Sequence, residues 1–255
     1  MALIRLKFNS LSLQRAVDVN VIMPSEPKFD WKNPKSMEML YSQQLKPMKV
    51  LYLLHGFCGD QDDWLRFSGV ETYAAGKNLA IVMPAGYNGA YINHEGTNKF
   101  SDFIALEIPM MLRRLFPFLS EKREDTYIGG LSMGAVGALR FCLKYPEKYS
   151  HGILMSLGLP EGQVDTKDEN DVYYMIEKRQ KENISLPKFW VCCGTGDVMP
   201  GEHGRLYMGY SGAICLYHYI LDHGYKAEFY EAEGAHEWPF WNWAIKTALN
   251  EWLPL

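Results

Sequence analysis

Six short apolar segments, separated by stretches with helical periodicity, are the feature that most restricts how this chain can fold. Each segment has the length of a β-strand, and several are followed directly by Gly or Pro. They span residues 50–54, 79–83, 126–128, 152–155, 189–193 and 227–230. Strands that alternate with helices are typical of a mainly parallel sheet with helices on both faces, because parallel strands need long crossover connections. The sequence therefore predicts the α/β class.

The amino-terminal part of this sheet is expected to be antiparallel. Residues 15–22 alternate apolar and polar positions, with Val17, Val19 and Val21 on one face, a pattern typical of an antiparallel strand. Helical patterns cover residues 101–116, 135–144, 211–223 and 238–252. Within the first of these, Pro109 should kink the helix or shift its start, because proline cannot donate a backbone hydrogen bond.

Composition excludes several classes of protein. With 47% hydrophobic and 22% charged residues, and no linker-like segment, residues 1–255 are expected to form a single domain without membrane spans. A net charge of −4 with scattered Lys and Arg argues against nucleic-acid partners. The amino terminus lacks a signal-peptide pattern, which favours a cytoplasmic protein. The five cysteines and seven histidines form no metal-binding motif, so we expect neither a metal nor another cofactor.

The segment 159–187 is unusually long and highly charged for a connection between two strands. It surrounds a short apolar run that includes Val172 and Ile176, which favours one amphipathic helix or turn. Two interpretations stay open, because long connections are either functional or merely tolerated. The segment is either a lid-like insertion or a solvated surface loop.

A candidate nucleophile lies in the pentapeptide Gly-Leu-Ser-Met-Gly at 130–134, which matches the pattern G-x-S-x-G. The motif directly follows the strand segment 126–128 and directly precedes a helical pattern. This strand, sharp turn and helix form the nucleophile elbow of α/β-hydrolases, which presents the serine hydroxyl at the edge of the sheet. Gly130 and Gly134 suit the tight turn, and we predict Ser132 as the nucleophile.

The acid and base partners follow from chain order, since in this fold the serine is followed by the acid and then by the histidine. Asp197 follows the strand segment 189–193 through Gly-Thr-Gly, and His236 follows the last strand segment. His203 is the rival base, but it precedes the last strand segment. We assign Asp197 as the orienting acid and His236 as the general base.

Two backbone amides are expected to form the oxyanion hole. One is the N–H of Met133, next to the nucleophile, and the other is the N–H of Phe57 in the turn His55-Gly56-Phe57 after the first parallel strand. His55 itself is expected to hold this loop by hydrogen bonds and to have no catalytic role. Aromatic residues near these motifs are candidates for substrate binding, namely Trp64, Tyr91 and Trp238.

Together these motifs resemble the esterase D family of α/β-hydrolases, and within it the bacterial tributyrin esterases. The resemblance extends over nearly the whole chain and rests on five segments: Val-Leu-Tyr-Leu-Leu-His-Gly at 50–56, Asp63-Trp64, Lys-Arg-Glu at 122–124, Gly-Gly-Leu-Ser-Met-Gly at 129–134 and His-Glu-Trp at 236–238. It implies the same triad and the same oxyanion donors. It also implies a cytoplasmic esterase that acts on small acyl esters.

Three classes of function remain open at this point. The first is a serine carboxylesterase that hydrolyses short-chain acyl esters, acetyl to butyryl, with feruloyl or acetyl-sugar esters as alternative substrates. The second is an acyltransferase that uses the same acyl-enzyme. The third, a non-catalytic binding protein on this scaffold, is disfavoured by the complete triad. The expected partner is a small-molecule ester, and assembly into a homo-oligomer is left open.

Overall fold

A computed structural model describes residues 1–25, 32, 36–42, 46–157, 159, 168–200 and 206–255 of the chain. Its centre is an eight-stranded sheet with the order β1-β2-β4-β3-β5-β6-β7-β10. These strands are β1 Ala2–Ser10, β2 Arg15–Met23, β3 Lys49–Leu54, β4 Leu79–Pro84, β5 Thr126–Leu131, β6 His151–Met155, β7 Lys188–Gly194 and β10 Ala227–Ala232. A separate antiparallel pair consists of β8 Val198–Pro200 and β9 Leu206–Gly209.

The sheet is mainly parallel, as the sequence predicts. All pairings from β4 through β10 are parallel, whereas β2 runs antiparallel to both β1 and β4. The predicted antiparallel edge is therefore confirmed. The edge strand β1 is an addition that the sequence analysis did not anticipate, although Ile4, Leu6 and Phe8 face the core while Arg5 and Lys7 are exposed.

Helices cover both faces of the sheet, which confirms the predicted class. On one face lie α4 Phe100–Asp102, a π-helical turn Phe103–Glu107, α5 Ile108–Leu115, α6 Met133–Lys144, α7 Val172–Lys181 and α8 Tyr210–Asp222. On the other lie α2 Asp63–Phe67, α3 Val70–Ala74, α9 Trp238–Thr247 and a final π-helical turn Ala248–Trp252. The short helix α1 Met37–Tyr41 precedes β3. Together α4, the first π-helical turn and α5 form one continuous helical run, which starts where the sequence predicts. Pro109 lies in this run, in the first turn of α5, so the run contains a local irregularity, the π-helical turn, just before the proline.

The central strands are buried on both faces, which explains why they read as continuous apolar runs. In β3, Val50, Tyr52 and Leu54 belong to the core beneath α6, and Leu51 and Leu53 belong to the core beneath α9. Successive side chains of a strand point to opposite faces, so each run supplies two cores at once. The carboxyl ends of these strands then lie along one edge, where ligands of open α/β sheets bind.

The described part of the segment 159–187 is a crossover connection between β6 and β7. Helix α7 buries Val172, Tyr173, Met175 and Ile176 in the same core as α6. Asp171 caps this helix, with its side chain accepting hydrogen bonds from the first-turn amides. A helix packed in this way confirms the predicted amphipathic helix, and the role of the segment as a lid or a surface loop stays a prediction. Its remaining part, 160–167, lies outside the described residues.

Candidate active site

Ser132 occupies a sharp, strained turn between β5 and α6. Its backbone has φ 51° and ψ −118°, in the region that favours glycine and that other residues adopt only where the surrounding structure holds them. The amide of Ser132 donates to the carbonyl of Met155 at the end of β6, at 2.9 Å. The side chain is partly exposed at the carboxyl edge of the sheet. This local geometry is that of the predicted nucleophile elbow.

The two glycines of the motif let α6 approach the end of β3 closely. A Cβ atom at Gly134 would lie 2.5 Å from the carbonyl oxygen of His55 and 2.7 Å from that of Leu54. A Cβ atom at Gly130 would lie 2.9 Å from the same Leu54 oxygen. Both obstacles are backbone atoms, which cannot rotate away as a flexible side chain can. The pair therefore sets the distance between the elbow and the turn after β3.

A Gly134→Ala variant is expected to lose about 10²–10³-fold in ester turnover, because the turn that carries one oxyanion donor must shift away from the elbow. Gly152→Ala, in β6, is the matched control, since a Cβ there would approach the core side chains of Cys142 and Phe189, at 3.0 and 3.1 Å, instead of the turn after β3. Turnover and urea unfolding of both variants should be measured together. Equal losses in the two variants would contradict a specific effect on the turn.

Asp197 is held beside His236 by a close approach of two loops. Gly194 is the last residue of β7, and a Cβ there would collide with the carbonyl oxygen of Gly234 in the loop after β10. The amide of Gly196 also donates to that oxygen at 2.9 Å. Glycine at 194 thus brings the loop of Asp197 and the loop of His236 together.

Asp197 and His236 are joined by a direct hydrogen bond. His236 Nδ1 lies 3.1 Å from Oδ2 and 3.2 Å from Oδ1 of Asp197. The carboxylate is only 1% exposed, and a buried carboxylate can only accept, so Nδ1 of the ring carries the proton. This tautomer leaves Nε2 of a neutral His236 free to accept a proton.

The Asp197 carboxylate is ionised despite its burial. Burial alone would raise its pKa, but the hydrogen bond from His236 and the nearby hydroxyl of Ser156 outweigh this effect and lower the pKa below the ordinary value. The thiol of Cys193 lies 3.5 Å from Oδ2 as a further donor. An ionised acid at this position stabilises the positive charge that a histidine acquires when it acts as a base.

Ser132 and His236 make no hydrogen bond with each other among the described residues. Of the three predicted triad members, the structure thus joins two directly and places the third on the same edge of the sheet. Hydrogen bonds between nucleophile and base are often long in the absence of substrate. The assignment of all three residues to one catalytic unit remains a prediction.

The turn after β3 is fixed by side chains, as predicted for His55. His55 Nδ1 lies 2.7 Å from the carbonyl of Gly56, and Nε2 accepts from the amide of Gly86 at 2.8 Å. Burial lowers the pKa of His55, which keeps the ring neutral as these two bonds require. Tyr91 donates to the carbonyl of His55 at 2.9 Å, and Asn88 accepts from the amide of Cys58 at 2.8 Å.

Both predicted oxyanion donors lie at this junction. A Cβ atom built on Gly56 would lie 3.6 Å from Cβ of Ser132, so the turn that carries Phe57 borders the elbow. Neither the amide of Phe57 nor that of Met133 donates to an acceptor within the part of the chain that the structure describes. Met133 is the first residue of α6, whose dipole also favours negative charge at this end.

Of the three aromatic residues predicted to bind substrate, two are core residues. Trp64 is 1% exposed and donates its indole N–H to the carbonyl of Leu54 at 3.1 Å. Tyr91 is also 1% exposed, and its hydroxyl is engaged by His55. Their polar atoms hold the turn after β3, so the expectation of direct substrate contact is wrong for both. Trp238 is half-buried and packs on Phe67.

Two further histidines lie along or at the end of helix α8, and the rival base His203 is not described. His223 lies at the end of α8, where Nδ1 is 2.8 Å from the carbonyl of Tyr219, as is typical of a residue that satisfies a helix end. His218 lies on the exposed side of the same helix. His203 falls outside the described residues.

Two residues that share a polar contact near this site were missed from the sequence. Ser156 follows β6 directly, and its hydroxyl accepts a hydrogen bond from the indole of Trp241 at 3.0 Å. A polar residue at the carboxyl end of a buried parallel strand was the available signal for Ser156. Trp241 had no such signal, because its contact depends on how α9 packs against the sheet.

Comparison with known proteins gives the family. Residues 21–252 match the family model described as "Putative esterase". The chain belongs to this esterase family. The esterase is 30% identical to an acetyl esterase of Caldicellulosiruptor saccharolyticus, over 99% of this chain and 98% of that protein. An ester-hydrolysing enzyme is therefore the class of activity that the family supports.

Solved structures of similar proteins agree with the assignment to an esterase family. A fluorophosphonate-binding serine hydrolase of Staphylococcus aureus matches the esterase with a TM-score of 0.83 and 26% identity, over 100% of this chain and 99% of that one. An S-formylglutathione hydrolase of the same organism matches with a TM-score of 0.77 and 26% identity, over 99% and 96%. The α/β-hydrolase fold is thus confirmed. No helix in the described ranges is long and apolar enough to span a membrane.

Proposed function

We propose that the protein is a serine carboxylesterase of the esterase D type that hydrolyses short-chain acyl esters, acetyl to butyryl, through an acyl-enzyme on Ser132. The observation that carries the proposal is the buried Asp197–His236 pair at the same sheet edge as the strained Ser132. A serine with a purely structural role would not need a positive φ between two glycines, Gly130 and Gly134, that lie close to neighbouring backbone atoms. A structural histidine would not need a buried, ionised aspartate at Nδ1.

The reaction begins with His236 taking the proton of the Ser132 hydroxyl while the serine oxygen attacks the ester carbonyl carbon. The negative charge that forms on the carbonyl oxygen is held by the amides of Phe57 and Met133. As the intermediate collapses, the bond to the alcohol breaks and the alcohol leaves with the proton from His236. An acyl group then remains on Ser132.

Water completes the cycle by the same steps. His236 removes a proton from the water as it attacks the acyl carbon, and the second intermediate releases the carboxylic acid and restores the serine hydroxyl. Asp197 acts in both halves, because it keeps the proton on Nδ1 and stabilises the ring when it is charged. No step requires a metal or another cofactor.

Two features support a small acyl group. The full-length relative of 30% identity is an acetyl esterase. Phe57 is 67% exposed beside the elbow, and Phe67 packs on Trp238 at a ring distance of 5.1 Å. These rings offer an apolar rim to the site, a surface that suits the acyl or alcohol part of a small ester.

A panel of nitrophenyl acetate, butyrate and octanoate with a feruloyl ester tests the proposal. We expect kcat/KM to be highest for acetate or butyrate and to fall by about tenfold or more for octanoate, because a short-chain pocket rejects added methylenes. Addition of an alcohol acceptor distinguishes hydrolysis from transfer. Preference for the feruloyl ester, or acyl transfer that exceeds hydrolysis, would contradict the short-chain assignment while leaving the nucleophile in place.

A further inference from the structure

The turn that carries the amide of Phe57 has a conformation that its sequence does not favour. The amide of Gly59 donates to the carbonyl of Gly56 at 3.3 Å, so residues 56–59 form a β-turn with Phe57 and Cys58 at its centre. Cys58 has a φ of 60°, whereas Phe57 has no positive φ. A positive φ at the third position alone defines a type II turn, which usually has glycine or asparagine there. Cysteine in this conformation must be held by its surroundings.

The side chain of Asn88 holds the central peptide group of this turn. Its Oδ1 atom accepts from the amide of Cys58 at 2.8 Å, and this amide belongs to the peptide between Phe57 and Cys58. Types I and II of a β-turn differ in the direction that this central peptide faces. An acceptor fixed on one side of the turn therefore stabilises one type against the other. In this chain the acceptor stabilises type II.

Asn88 is itself placed by a second tight turn. The amide of Gly89 donates to the carbonyl of Gly86 at 3.3 Å, and Tyr87 between them has a φ of 49°. The amide of Gly86 donates to Nε2 of His55 at 2.8 Å, so the second turn is also tied to the residue that begins the first. The two turns are thus joined at two points, one through His55 and the other through Asn88.

The segment that carries the second turn contains three left-handed residues, Tyr87, Ala90 and Tyr91, with φ between 49° and 59°. Two of them are anchored by arginine side chains. The guanidinium of Arg15 lies 4.5 Å from the ring centre of Tyr87, and Arg140 donates to the carbonyl of Ala90 at 3.3 Å. Left-handed residues other than glycine persist where several contacts fix them, and they concentrate at functional sites. The contacts therefore give the asparagine of this segment a fixed position.

We infer that Asn88 is a positioning residue for the oxyanion hole: it holds the amide of Cys58 and thereby fixes the turn that directs the amide of Phe57 at the reacting carbonyl oxygen. The inference rests on the proposed role of Phe57 as an oxyanion donor. An oxyanion donor lowers the barrier most when it is already oriented before the charge develops. Asn88 supplies that orientation through the turn.

Loss of this contact should change turnover more than stability. Both Asn88 and Cys58 are exposed, so water can replace Oδ1 as the acceptor and little free energy of unfolding is lost. Water has no fixed position and does not favour one direction of the peptide. The turn would then populate both types, and only part of the molecules would present the amide of Phe57 correctly.

The test uses three variants of the full chain: Asn88→Ala, Cys58→Gly and the two combined. Glycine adopts a positive φ without a steric penalty, so Cys58→Gly makes the type II turn independent of the side-chain acceptor. Asn93→Ala is the matched control. Asn93 lies in the same connection between β4 and α4, and its Oδ1 also accepts from a backbone amide, that of Asp102 at 3.2 Å.

The readouts separate an oriented oxyanion hole from general stability. They are kcat and KM for nitrophenyl acetate, urea unfolding, and the inhibition constant of a trifluoromethyl ketone. When Ser132 adds to this ketone, the former carbonyl oxygen carries the negative charge that the oxyanion hole binds. The inhibitor therefore reports on the donors directly, because it resembles the intermediate of the reaction.

We expect kcat of Asn88→Ala to fall about tenfold, the effect of losing one hydrogen bond, with KM nearly unchanged because the charge develops only after the substrate has bound. The inhibition constant should rise by the same factor. Adding Cys58→Gly to Asn88→Ala should recover most of both losses, a larger gain than Cys58→Gly produces alone. Asn93→Ala should change neither quantity.

Three results would overturn the inference. The first is an unchanged inhibition constant in Asn88→Ala, because a smaller folded fraction lowers turnover without weakening inhibitor binding to the molecules that remain folded. The second is the absence of recovery in the double variant, and the third is an equal loss in Asn93→Ala. Failure of the proposed function has a different signature, namely hydrolysis that persists in Ser132→Ala, so the two failures are distinguishable.

Discussion

Ser132→Ala is expected to lower kcat for nitrophenyl acetate by about 10⁴–10⁶-fold, since removal of a triad nucleophile abolishes the acyl-enzyme route. The remaining rate comes from substrate binding and the oxyanion hole alone. Alanine has a Cβ like serine, so the backbone conformation at φ 51° is no more strained in the variant. The loss should therefore appear in turnover and leave the free energy of unfolding nearly unchanged.

A fluorophosphonate probe gives a second readout that does not depend on the choice of ester. The wild-type chain should gain one probe mass on the peptide that contains Ser132, and Ser132→Ala should gain none. Ser150→Ala is a matched control, because the Ser150 hydroxyl is buried and bonded to the carbonyl of Thr126 before β6 begins. Activity within tenfold of wild type in Ser132→Ala would contradict the proposed nucleophile.

Strands of this fold were predictable where burial on both faces makes them continuously apolar. All six apolar runs correspond to strands, from β3 to β10, with limits that differ by a few residues. The edge strand β1 was missed because only one of its faces is buried, and its polar residues at alternate positions resembled an ordinary solvated segment. The pair β8 and β9 was missed because strands of this length carry no periodic signal.

In the site, too, residues that belong to a local sequence pattern were predictable, and residues that only tertiary contacts bring together were not. Ser132, Gly130 and Gly134 were predictable because the elbow is built from consecutive residues with a required order of strand, turn and helix. Asp197 and His236 could be selected because each follows a strand, although the close approach of Gly194 and Gly234 appears only in three dimensions. Ser156 and Trp241 meet across 85 positions of sequence, and no local pattern encodes that contact.

Aromatic residues were the least predictable part of the site. Trp64 and Tyr91 lie near catalytic motifs in the sequence, which made substrate contact a reasonable expectation. In the structure each has one polar atom, and that atom is satisfied by a backbone carbonyl of β3 or of the turn after it. A sequence does not reveal where such a partner lies. Aromatic side chains with a satisfied polar group are ordinary core residues.

Asp197→Asn is expected to lower kcat by about 10⁴-fold at neutral pH, with little change in the position of the side chain. The carboxylate of Asp197 accepts from Nδ1 of His236 at 3.1 Å, and the thiol of Cys193 lies 3.5 Å from Oδ2. Asparagine has one acceptor oxygen and one NH₂ group. When the amide oxygen of the new side chain accepts from Cys193, its NH₂ group faces Nδ1 of His236.

An NH₂ group at Nδ1 selects the tautomer of His236 that carries its proton on Nε2, and that nitrogen can then no longer accept the proton of Ser132. Asp18→Asn is the matched control, since Asp18 lies on β2 and pairs with Lys7 at the surface. Turnover of Asp197→Asn within tenfold of wild type would contradict the role of Asp197 as the orienting acid.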